Sequence, residues 1–403
     1  MQFFRRSIAI FVIVLALFTS AAIPPVVSAS VRDTDQLDGA SWTEFDIQHE
    51  IMPDVTMAAG ALVDGDGRIL WSRNLDERRP PASISKIMTA ILVVENMDSD
   101  EEFVMPAMPI GPAESRAHLR EGDVLTREQL IQALLIVSGN DAAHAVAVEI
   151  AGDVPSFAEM MNERAEQLGM NDTQFRNASG IDQQGQFSTA RDIATLSRFA
   201  LSIPEIREVV GTAELNFEIG RGSQEWVNTN ILLQSYEGAT GVKTGFTSGA
   251  GHSLAMSAQR DELGLELIAV VLGARADVDR FFDARHLLDF GFTHYRTQDL
   301  AIKNAVKGRA QVSNFPDRTV QAAVSEDVSL HVLDVAGPIE QSIEINSTRS
   351  PVRRGDMLGH ISFTQRGRLV ARVPLVATED VNNPFFLVQW YYNVVIALRG
   401  GSD

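Results

Sequence analysis

Residues 78–90 read RRPPASISKIMTA and carry the clearest chemical signal of the chain. The two prolines predict a helix after them, from Ser83 to about Glu95, because proline is tolerated at the start of a helix but not within it. Residues three apart share one helix face, so Lys86 should reach the Ser83 hydroxyl. A serine becomes a nucleophile when a base takes its proton, and lysine serves as that base when burial or a nearby cation disfavours its charged form. The structural alternative is that Ser83 only caps the helix and Lys86 is solvated.

Two further short motifs follow in chain order, Ser138-Gly139-Asn140 and Lys243-Thr244-Gly245. The first lies between two predicted helices, where turn residues are expected in any case; read functionally, its serine would relay a proton and its asparagine would hold a substrate amide. The second is predicted to precede a strand. There the glycine would let a substrate backbone approach, and the lysine and threonine would bind a carboxylate. Each motif alone is weak, and the second lysine could simply be a turn residue.

Lysine usage strengthens the functional interpretation of these motifs. The chain has four lysines, Lys86, Lys243, Lys303 and Lys307, because arginine carries most of its positive charge. Two of the four lie inside the proposed motifs. If lysines served only as solvated surface residues, there would be no cause for them to concentrate in these motifs. The three motifs together therefore indicate a serine acyl-transfer site.

Periodicity predicts an antiparallel sheet with helical layers, an α/β (α+β) domain over residues 51–297. A hairpin comes first, with strands at Ala58–Val63 and Ile69–Trp71 around an Asp-Gly turn. Thr126 with Gln129 matches a helix capping box, and Thr189 with Asp192 indicates another capped helix start. The remaining predicted elements are helices at Asp141–Ile150 and Asp279–Asp289, and strands at Ser253–Ala258 and Leu265–Leu272.

Beyond residue 297 the pattern changes to short strands separated by Gly, Pro and Asp turns, typical of a small all-β domain over residues 298–380. The predicted strands are Val328–Val332, Ile343–Ile345, Met357–Phe363 and Leu369–Val373.

Both ends of the chain have compositions of their own. Residues 1–29 carry two arginines, an apolar run and small residues before Ala29, which predicts a cleaved secretory signal peptide; an uncleaved anchor would need about 20 apolar residues. Residues 30–50 are polar, typical of a linker or N-terminal arm. Residues 381–403 contain the apolar run Phe385–Leu398, predicted to be a helix about 21 Å long, too short to span a membrane but able to lie in its interface. The alternative is that this helix docks on the protein's own β domain.

Composition excludes several classes of function. The net charge of −19 over 403 residues argues against nucleic-acid partners, which need clustered basic residues. Without cysteine there is no thiol nucleophile, disulfide or thiolate metal site. The histidines show no H-E-x-x-H or similar ligand spacing, so zinc chemistry has no support. Neither a metal nor an organic cofactor is implied.

The three motifs together resemble those of the serine penicillin-recognising enzymes. Within that superfamily the chain is most similar to the low-molecular-mass D-alanyl-D-alanine carboxypeptidases, and the likeness covers nearly all of the chain after the signal peptide. It is carried by RRPPASISKIMTA, LLIVSGNDAAHAVAVEIAG, LGMNDTQFRNASGID, FSTARD, GVKTGFTSGAGHSLAMSA, PVRRGDMLGHISF and ARVPLVA.

The resemblance implies a fold, a reaction and a role for each motif residue. The fold would be the serine β-lactamase/transpeptidase-like domain followed by the all-β domain. Ser83 would be acylated, by peptidoglycan pentapeptide stems or by β-lactam antibiotics, with Lys86 as the general base and water resolving the acyl-enzyme. Ser138 would transfer a proton, and Asn140 would bind the peptide amide. Lys243 and Thr244 would bind the carboxylate with assistance from Arg280, and Gly245 would allow the substrate to approach closely. The main-chain N–H groups of Ser83 and Phe246 would form the oxyanion hole. Thr229 stands where some relatives carry an arginine.

The same resemblance implies a location and leaves three rivals. The enzyme would be secreted to the periplasm and attached to the outer face of the inner membrane through its C-terminal helix. A class A β-lactamase would carry aspartate in place of Gly139 and a glutamate in an E-x-x-L-N loop, which is absent between Asp141 and Lys243. The motifs cannot separate a carboxypeptidase from an endopeptidase that cleaves D-alanyl bonds. A non-catalytic wall-binding scaffold is the third rival, although every motif residue is present.

Overall fold

The computed structural model describes residues 31–45, 47–107 and 115–399. The predicted signal peptide, residues 1–29, lies outside the described residues.

The described residues up to Ala274 contain eleven strands, seven of which form one antiparallel sheet in the order β2-β1-β4-β3-β11-β10-β9. The predicted antiparallel sheet and its first hairpin are thereby confirmed. The other four strands pair as the small hairpins β5–β6 and β7–β8. The strands are β1 Asp35–Leu37, β2 Ala40–Ser41, β3 Ala59–Asp64, β4 Ile69–Arg73, β5 Glu102–Val104, β6 Val124–Thr126, β7 Glu214–Ile219, β8 Gly222–Val227, β9 Ala239–Thr247, β10 Gly251–Arg260 and β11 Leu265–Ala274.

In the part of the chain that the structure describes, eight α-helices cover the two faces of this sheet. They are α1 Lys86–Asn96, α2 Arg127–Leu135, α3 Asn140–Ala151, α4 Val154–Gln167, α5 Ala190–Leu201, α6 Pro204–Val210, α7 Leu232–Ser235 and α8 Asp279–His294. Short 3-10 helices occupy Trp42–Glu44, His49–Ile51, Ala82–Ser85, Asp261–Leu263 and Asp334–Ala336. The capping box of Thr126 with Gln129 is confirmed, as is the capping of α5 by the Thr189 side chain.

The sheet is buried on both faces because its inner strands alternate between two cores. On β11, Ile268 and Val270 face the core that contains α1 to α6, whereas Ala269 and Val271 face the core that contains α8. Helix α1 is buried on all sides over residues 86–93, since it runs through the larger core. The two polar residues of this stretch, Lys86 and Thr89, are therefore enclosed by the core.

Seven strands form the second module, in a five-stranded sheet ordered β13-β14-β18-β17-β16 and a pair β12–β15. The all-β prediction is confirmed, and the strands are β12 Tyr295–Ala301, β13 Val306–Gln311, β14 Thr319–Val324, β15 Val328–Leu333, β16 Ile339–Ile345, β17 Met357–Gln365 and β18 Arg368–Ala377. Sequence analysis missed β12 to β14, whose charged and polar residues obscure the alternation. Strand β12 crosses residue 297 because it pairs with β15.

The N-terminal arm joins the two modules. Sequence analysis expected a linker or N-terminal arm over residues 30–50. Within this segment β1 and β2 are strands of the main sheet, anchored by the fully buried ion pair of Asp35 with Arg73 at 2.6 Å. Asp38 in the same arm binds Arg68 from the β3–β4 turn at 3.0 Å and Arg368 from β18 at 3.3 Å. The arm therefore contacts both modules at their junction.

Helix α9, Phe386–Arg399, follows the second module and lies against it along one edge. Gln389 donates to the Asn314 carbonyl at 3.3 Å, and the rings of Tyr392 and Phe315 lie 5.5 Å apart. No helix in the described ranges is long and apolar enough to cross a membrane.

Candidate active site

Ser83 lies in the tight turn that leads into α1. The α-helix itself begins at Lys86, three residues later than a helix counted from Ser83, because the preceding turn is a 3-10 helix over Ala82–Ser85. Ala82 has a φ of +50°, a left-handed conformation that an alanine seldom adopts. This backbone leaves Ser83 half-buried at the head of α1, while the residues on either side of it are fully buried.

Lys86 reaches back to this serine from the first turn of α1. Its Nζ donates to the Ser83 Oγ at 3.0 Å and to the main-chain carbonyl of Ser179 at 2.8 Å. The Lys86 side chain has no solvent-exposed surface. A primary amine is thus held at hydrogen-bonding distance from one hydroxyl, away from bulk water.

Residues 177–180 complete the wall of this site, and sequence analysis gave them no role. Gly180 has a φ of +86°, and a Cβ at this position would lie 1.8 Å from the Ala82 carbonyl oxygen. The Asn177 Oδ1 accepts from the Gly180 N–H at 2.8 Å and from the Ser179 hydroxyl at 3.2 Å. This segment therefore presents the Ser179 carbonyl to Lys86. The only sequence signal was the string NASGID, whose glycine indicates a turn as readily as a close approach.

The second motif lies at the head of α3, which packs against α1. Ser138 has a φ of +60°, and a Cβ on Gly139 would lie 2.7 Å from the Asp141 Oδ1 and 2.9 Å from the Ala117 Cβ, so a side chain at the middle position would require these neighbours to shift. Asp141 in turn accepts hydrogen bonds from the Ala117 and Leu119 N–H groups. Asn140, 7% exposed, lines one cavity together with Ser179. The second motif is thereby placed beside the carbonyl that binds Lys86.

The third motif is part of strand β9 itself, which corrects the expectation that it precedes a strand. The strand packs directly against the Ser83 turn, since a Cβ on Gly245 would lie 3.1 Å from the Ala82 Cβ and 3.2 Å from the Pro81 carbonyl oxygen. Thr244 shares a 2.6 Å hydrogen bond between hydroxyls with Thr229.

Lys243 is a buried cationic site next to Lys86. Its Nζ donates to the Thr244 carbonyl at 3.0 Å, and the side chain is 1% exposed. Burial lowers the pKa of Lys243 well below its usual value, and the charges of Lys86 and Arg280 lower it further. A carboxylate that entered this site would reverse that penalty by supplying the missing negative charge.

Arg280 closes the other side of β9. Its Nη1 donates to the Gly245 carbonyl at 3.1 Å and its Nη2 pairs with the Asp277 Oδ1 at 2.5 Å. Burial lowers the pKa of Arg280, with Asp277 opposing the shift. Phe246, the next residue of β9, is exposed and stacks on His252 with ring centroids 4.4 Å apart.

The three motifs therefore lie on elements that pack around the Ser83 turn, namely α1, the head of α3 and strand β9. The arrangement offers one half-buried hydroxyl, one buried amine in contact with it, a second hydroxyl and an amide at the head of α3, and two cations on the β9 side. Among the described residues no group of three or more His, Asp or Glu side chains is placed to hold a metal ion.

Comparisons with known proteins agree with this geometry. Residues 47–276 match the family Peptidase_S11, D-alanyl-D-alanine carboxypeptidase, and residues 295–383 match the C-terminal domain of penicillin-binding protein 5. The chain is 30% identical to the D-alanyl-D-alanine carboxypeptidase DacF of Bacillus subtilis, over 82% of this chain and 87% of that one. It is similar to the crystal structure of penicillin-binding protein 6B from Escherichia coli, with a TM-score of 0.63 and 29% identity over 81% of this chain and 96% of that one. It is also similar to penicillin-binding protein D2 from Listeria monocytogenes in its ampicillin-bound form, with a TM-score of 0.53 and 31% identity over 59% and 98% of the two chains.

Replacing Gly180 with alanine should disable the site by displacing the Ser83 turn. The new Cβ cannot occupy a position 1.8 Å from the Ala82 oxygen, so either Ala82 or the Ser179 carbonyl must move. We expect labelling of Ser83 by a fluorescent penicillin to slow by more than about tenfold, because a general base that loses its position loses a factor of this order or more.

Gly169→Ala is the matched control, since Gly169 has a similar φ of +79° but open space around its Cβ position. It should lose about 1–2 kcal/mol of unfolding free energy from backbone strain and keep its labelling rate. Labelling is measured per folded protein, with folding followed by circular dichroism. Equal labelling rates in the two variants would contradict the close-packing argument.

Proposed function

The chain belongs to the D-alanyl-D-alanine carboxypeptidase family of serine peptidases, and we propose that it forms its acyl-enzyme on Ser83. The enzyme is a serine-type carboxypeptidase that binds penicillin, and it acts in the cell wall by removing the terminal D-alanine from peptidoglycan stem peptides. The observation that carries the assignment of Ser83 is the 3.0 Å contact of its hydroxyl with the fully buried Lys86 amine.

Acylation begins when Lys86, in its uncharged form, removes the proton from the Ser83 hydroxyl. The Oγ attacks the carbonyl carbon of the penultimate residue, forming an ester bond, and the amide C–N bond to the terminal D-alanine breaks. Ser138 passes the proton from Lys86 to the leaving amine. Water then attacks the ester with Lys86 again accepting a proton, which releases the shortened stem and restores the Ser83 hydroxyl.

The tetrahedral intermediate carries its negative charge on the former carbonyl oxygen. We assign its stabilisation to the main-chain N–H groups of Ser83, at the head of α1, and of Phe246, on β9. Preorganised donors of this kind, aimed where charge develops, contribute about 2.7–4 kcal/mol each to the rate when measured by their removal.

Lys243 and Thr244 make the enzyme a carboxypeptidase by binding the free carboxylate of the terminal D-alanine, with Arg280 assisting from α8. An ammonium, a hydroxyl and a guanidinium offer charge-assisted hydrogen bonds to one carboxylate. Asn140 holds the peptide amide on the acyl side of the scissile bond, and Gly245 allows the substrate backbone to lie against β9.

The location of the enzyme follows from its two ends. The predicted signal peptide would secrete it to the periplasm, and α9 would attach it to the outer face of the inner membrane. Along α9 the side chains with the greatest exposure follow helical spacing and form an apolar stripe, while Gln389 and Tyr392 contact the β module. This stripe consists of Phe386, Leu387, Trp390 and Tyr391, each of which is more than half exposed. A stripe rich in aromatic residues suits the membrane interface.

The division into two modules is compatible with attachment to the membrane through α9. We propose that residues 51–297 carry catalysis and that residues 298–380 hold the active site at a set distance from the membrane, with the N-terminal arm bracing the junction.

Replacing Lys86 with alanine should reduce covalent labelling by a fluorescent penicillin at neutral pH by roughly 10²–10⁴-fold, the usual contribution of a general base. Ser83→Ala should abolish the label, and the adduct should map to Ser83 by mass spectrometry after digestion. Lys303→Ala, which removes an exposed lysine of the β module, is the matched control and should label normally. Unlabelled wild-type enzyme would support the scaffold rival, and a normally labelled Lys86→Ala variant would show that another group is the base.

Substrate affinity should depend on pH through Lys243. Because the pKa of Lys243 is lowered, raising the pH removes its charge within an accessible range, and KM for an acyl-D-Ala-D-Ala peptide should rise. The expected rise is roughly 10–100-fold, equivalent to losing a hydrogen bond to a charged group.

The Lys243→Arg variant separates this effect from deprotonation of Lys86, because arginine keeps its charge throughout the range. Its KM should not rise with pH, while its kcat should follow the wild-type profile. Identical KM profiles in the two enzymes would exclude Lys243 as the titrating carboxylate ligand.

Membrane attachment should depend on the exposed stripe of α9. Trp390, 69% exposed, should anchor the helix, so Trp390→Glu should reduce co-sedimentation with vesicles of phosphatidylethanolamine and phosphatidylglycerol by about tenfold or more. Ile302→Glu, at a 67% exposed site on the β module, is the control and should bind as wild type does. Equal binding by both variants, or none by the wild type, would contradict attachment through α9.

A further inference from the structure

Arg280 lies beside the third motif with its charge already neutralised by the protein. The Nη1 of its buried guanidinium donates to the Gly245 carbonyl at 3.1 Å, which fixes the side chain to β9 through an uncharged acceptor. Its Nη2 pairs with the Asp277 Oδ1 at 2.5 Å. A carboxylate of this chain therefore occupies one of the cations that would assist in binding the carboxylate of a substrate.

Asp277 is an exposed counter-ion on a short connection. It lies in residues 275–278, between the end of β11 and the start of α8, and its side chain is 63% exposed. Because the Gly245 carbonyl also holds the guanidinium, Arg280 does not depend on Asp277 alone for its position. Ion pairs with an exposed partner contribute little to stability, so Asp277 can leave Arg280 at a small cost.

His252 provides a second partner for Asp277. Its Nδ1 lies 3.4 Å from the same Oδ1 that pairs with Arg280, slightly longer than a normal hydrogen bond. This nitrogen is buried and forms no hydrogen bond with any residue that the structure describes. The ring stacks on Phe246, its cross-strand neighbour on β9, with centroids 4.4 Å apart. An Nδ1–H group at this position could donate to a carboxylate that moved toward it by less than 1 Å.

These contacts point to an exchange of partners when substrate binds. Resting on the proposed function, we propose that Asp277 is a displaceable counter-ion: the terminal carboxylate of the substrate replaces it on Arg280, and Asp277 turns to the Nδ1 of His252. Without this exchange two carboxylates would share one guanidinium and repel each other. With it, Arg280 stays paired and the buried nitrogen of His252 gains a hydrogen bond. Asp277 and His252 are thus positioning residues that act through Arg280, and neither belongs to the three motifs.

The test compares an acyl-D-Ala-D-Ala peptide with its C-terminal amide, which lacks the carboxylate. KM is measured for the acid, and Ki is measured for the amide as a competitive inhibitor. Asp277→Asn removes the competing charge, so KM for the acid should fall about three- to tenfold while kcat and the Ki of the amide stay unchanged. A KM that rises or stays constant, or a Ki that falls to the same extent, would refute the exchange.

The His252→Phe variant tests the second partner. Phenylalanine keeps a ring to stack on Phe246 but has no nitrogen to receive Asp277, so KM for the acid should rise about threefold with kcat unchanged. In the double variant KM should equal that of Asp277→Asn alone, because His252 acts only through Asp277. Additive effects of the two substitutions, or an unchanged KM in His252→Phe, would contradict the role of His252.

Asp76→Asn is the matched control for the loss of one negative charge. Asp76 is 57% exposed and pairs with Arg191 at 2.7 Å, so this variant should keep the wild-type KM. An equal fall in KM would assign the effect to net charge and refute the exchange. Exhaustive labelling with a fluorescent penicillin counts the active sites of each variant, which corrects kcat for any unfolded fraction. Absence of both label and peptide cleavage in the wild type refutes the proposed function, whereas normal label and cleavage with an unchanged KM in Asp277→Asn refutes only the exchange.

Discussion

A lysine amine held without solvent contact at 3.0 Å from a serine hydroxyl is the interaction on which the rest of this enzyme depends. It requires a helix that is buried on all sides, and α1 has that position because it runs through the larger core. It also requires an acceptor for the amine that no water can replace, and the Ser179 carbonyl provides it at 2.8 Å. The contact between Lys86 and Ser83 therefore depends on the large core, on the sheet that is buried on both faces, and on the segment at residues 177–180.

The second constraint is electrostatic. Lys243 lies close to both Lys86 and Arg280 beside the Ser83 turn, and Arg280 pairs with the carboxylate of Asp277. Concentrating cations in a buried site is unfavourable by itself, as the lowered pKa of Lys243 indicates. A substrate that ends in a carboxylate relieves this repulsion. The chain as a whole has a net charge of −19, so this cluster of basic side chains differs in sign from the protein's overall charge.

The third constraint is the close approach of backbones around Ser83. Gly180 and Gly245 bring two separate segments against the Ala82 main chain and side chain, and both lack the Cβ that would prevent it. Ala82 and Ser138 adopt left-handed conformations that cost energy, as is common where a fold imposes the geometry of an active site.

The sequence by itself determined the three motifs, the hairpin, the capped helices and the all-β character of the second module, because these depend on spacing and turn chemistry within a few residues. The relation of Lys86 to Ser83 was also local, since it needs only one helical turn. Contacts between distant segments could not be read in this way. The Ser179 carbonyl lies 93 residues from Lys86, and β1 pairs with β4, which lies beyond β3 in the chain. Asn140 and Ser179 line one cavity only because α3 and α4 meet residues 177–181. Tertiary packing decided those features, because a carbonyl, a short polar strand and an empty volume have no signature in the order of side chains.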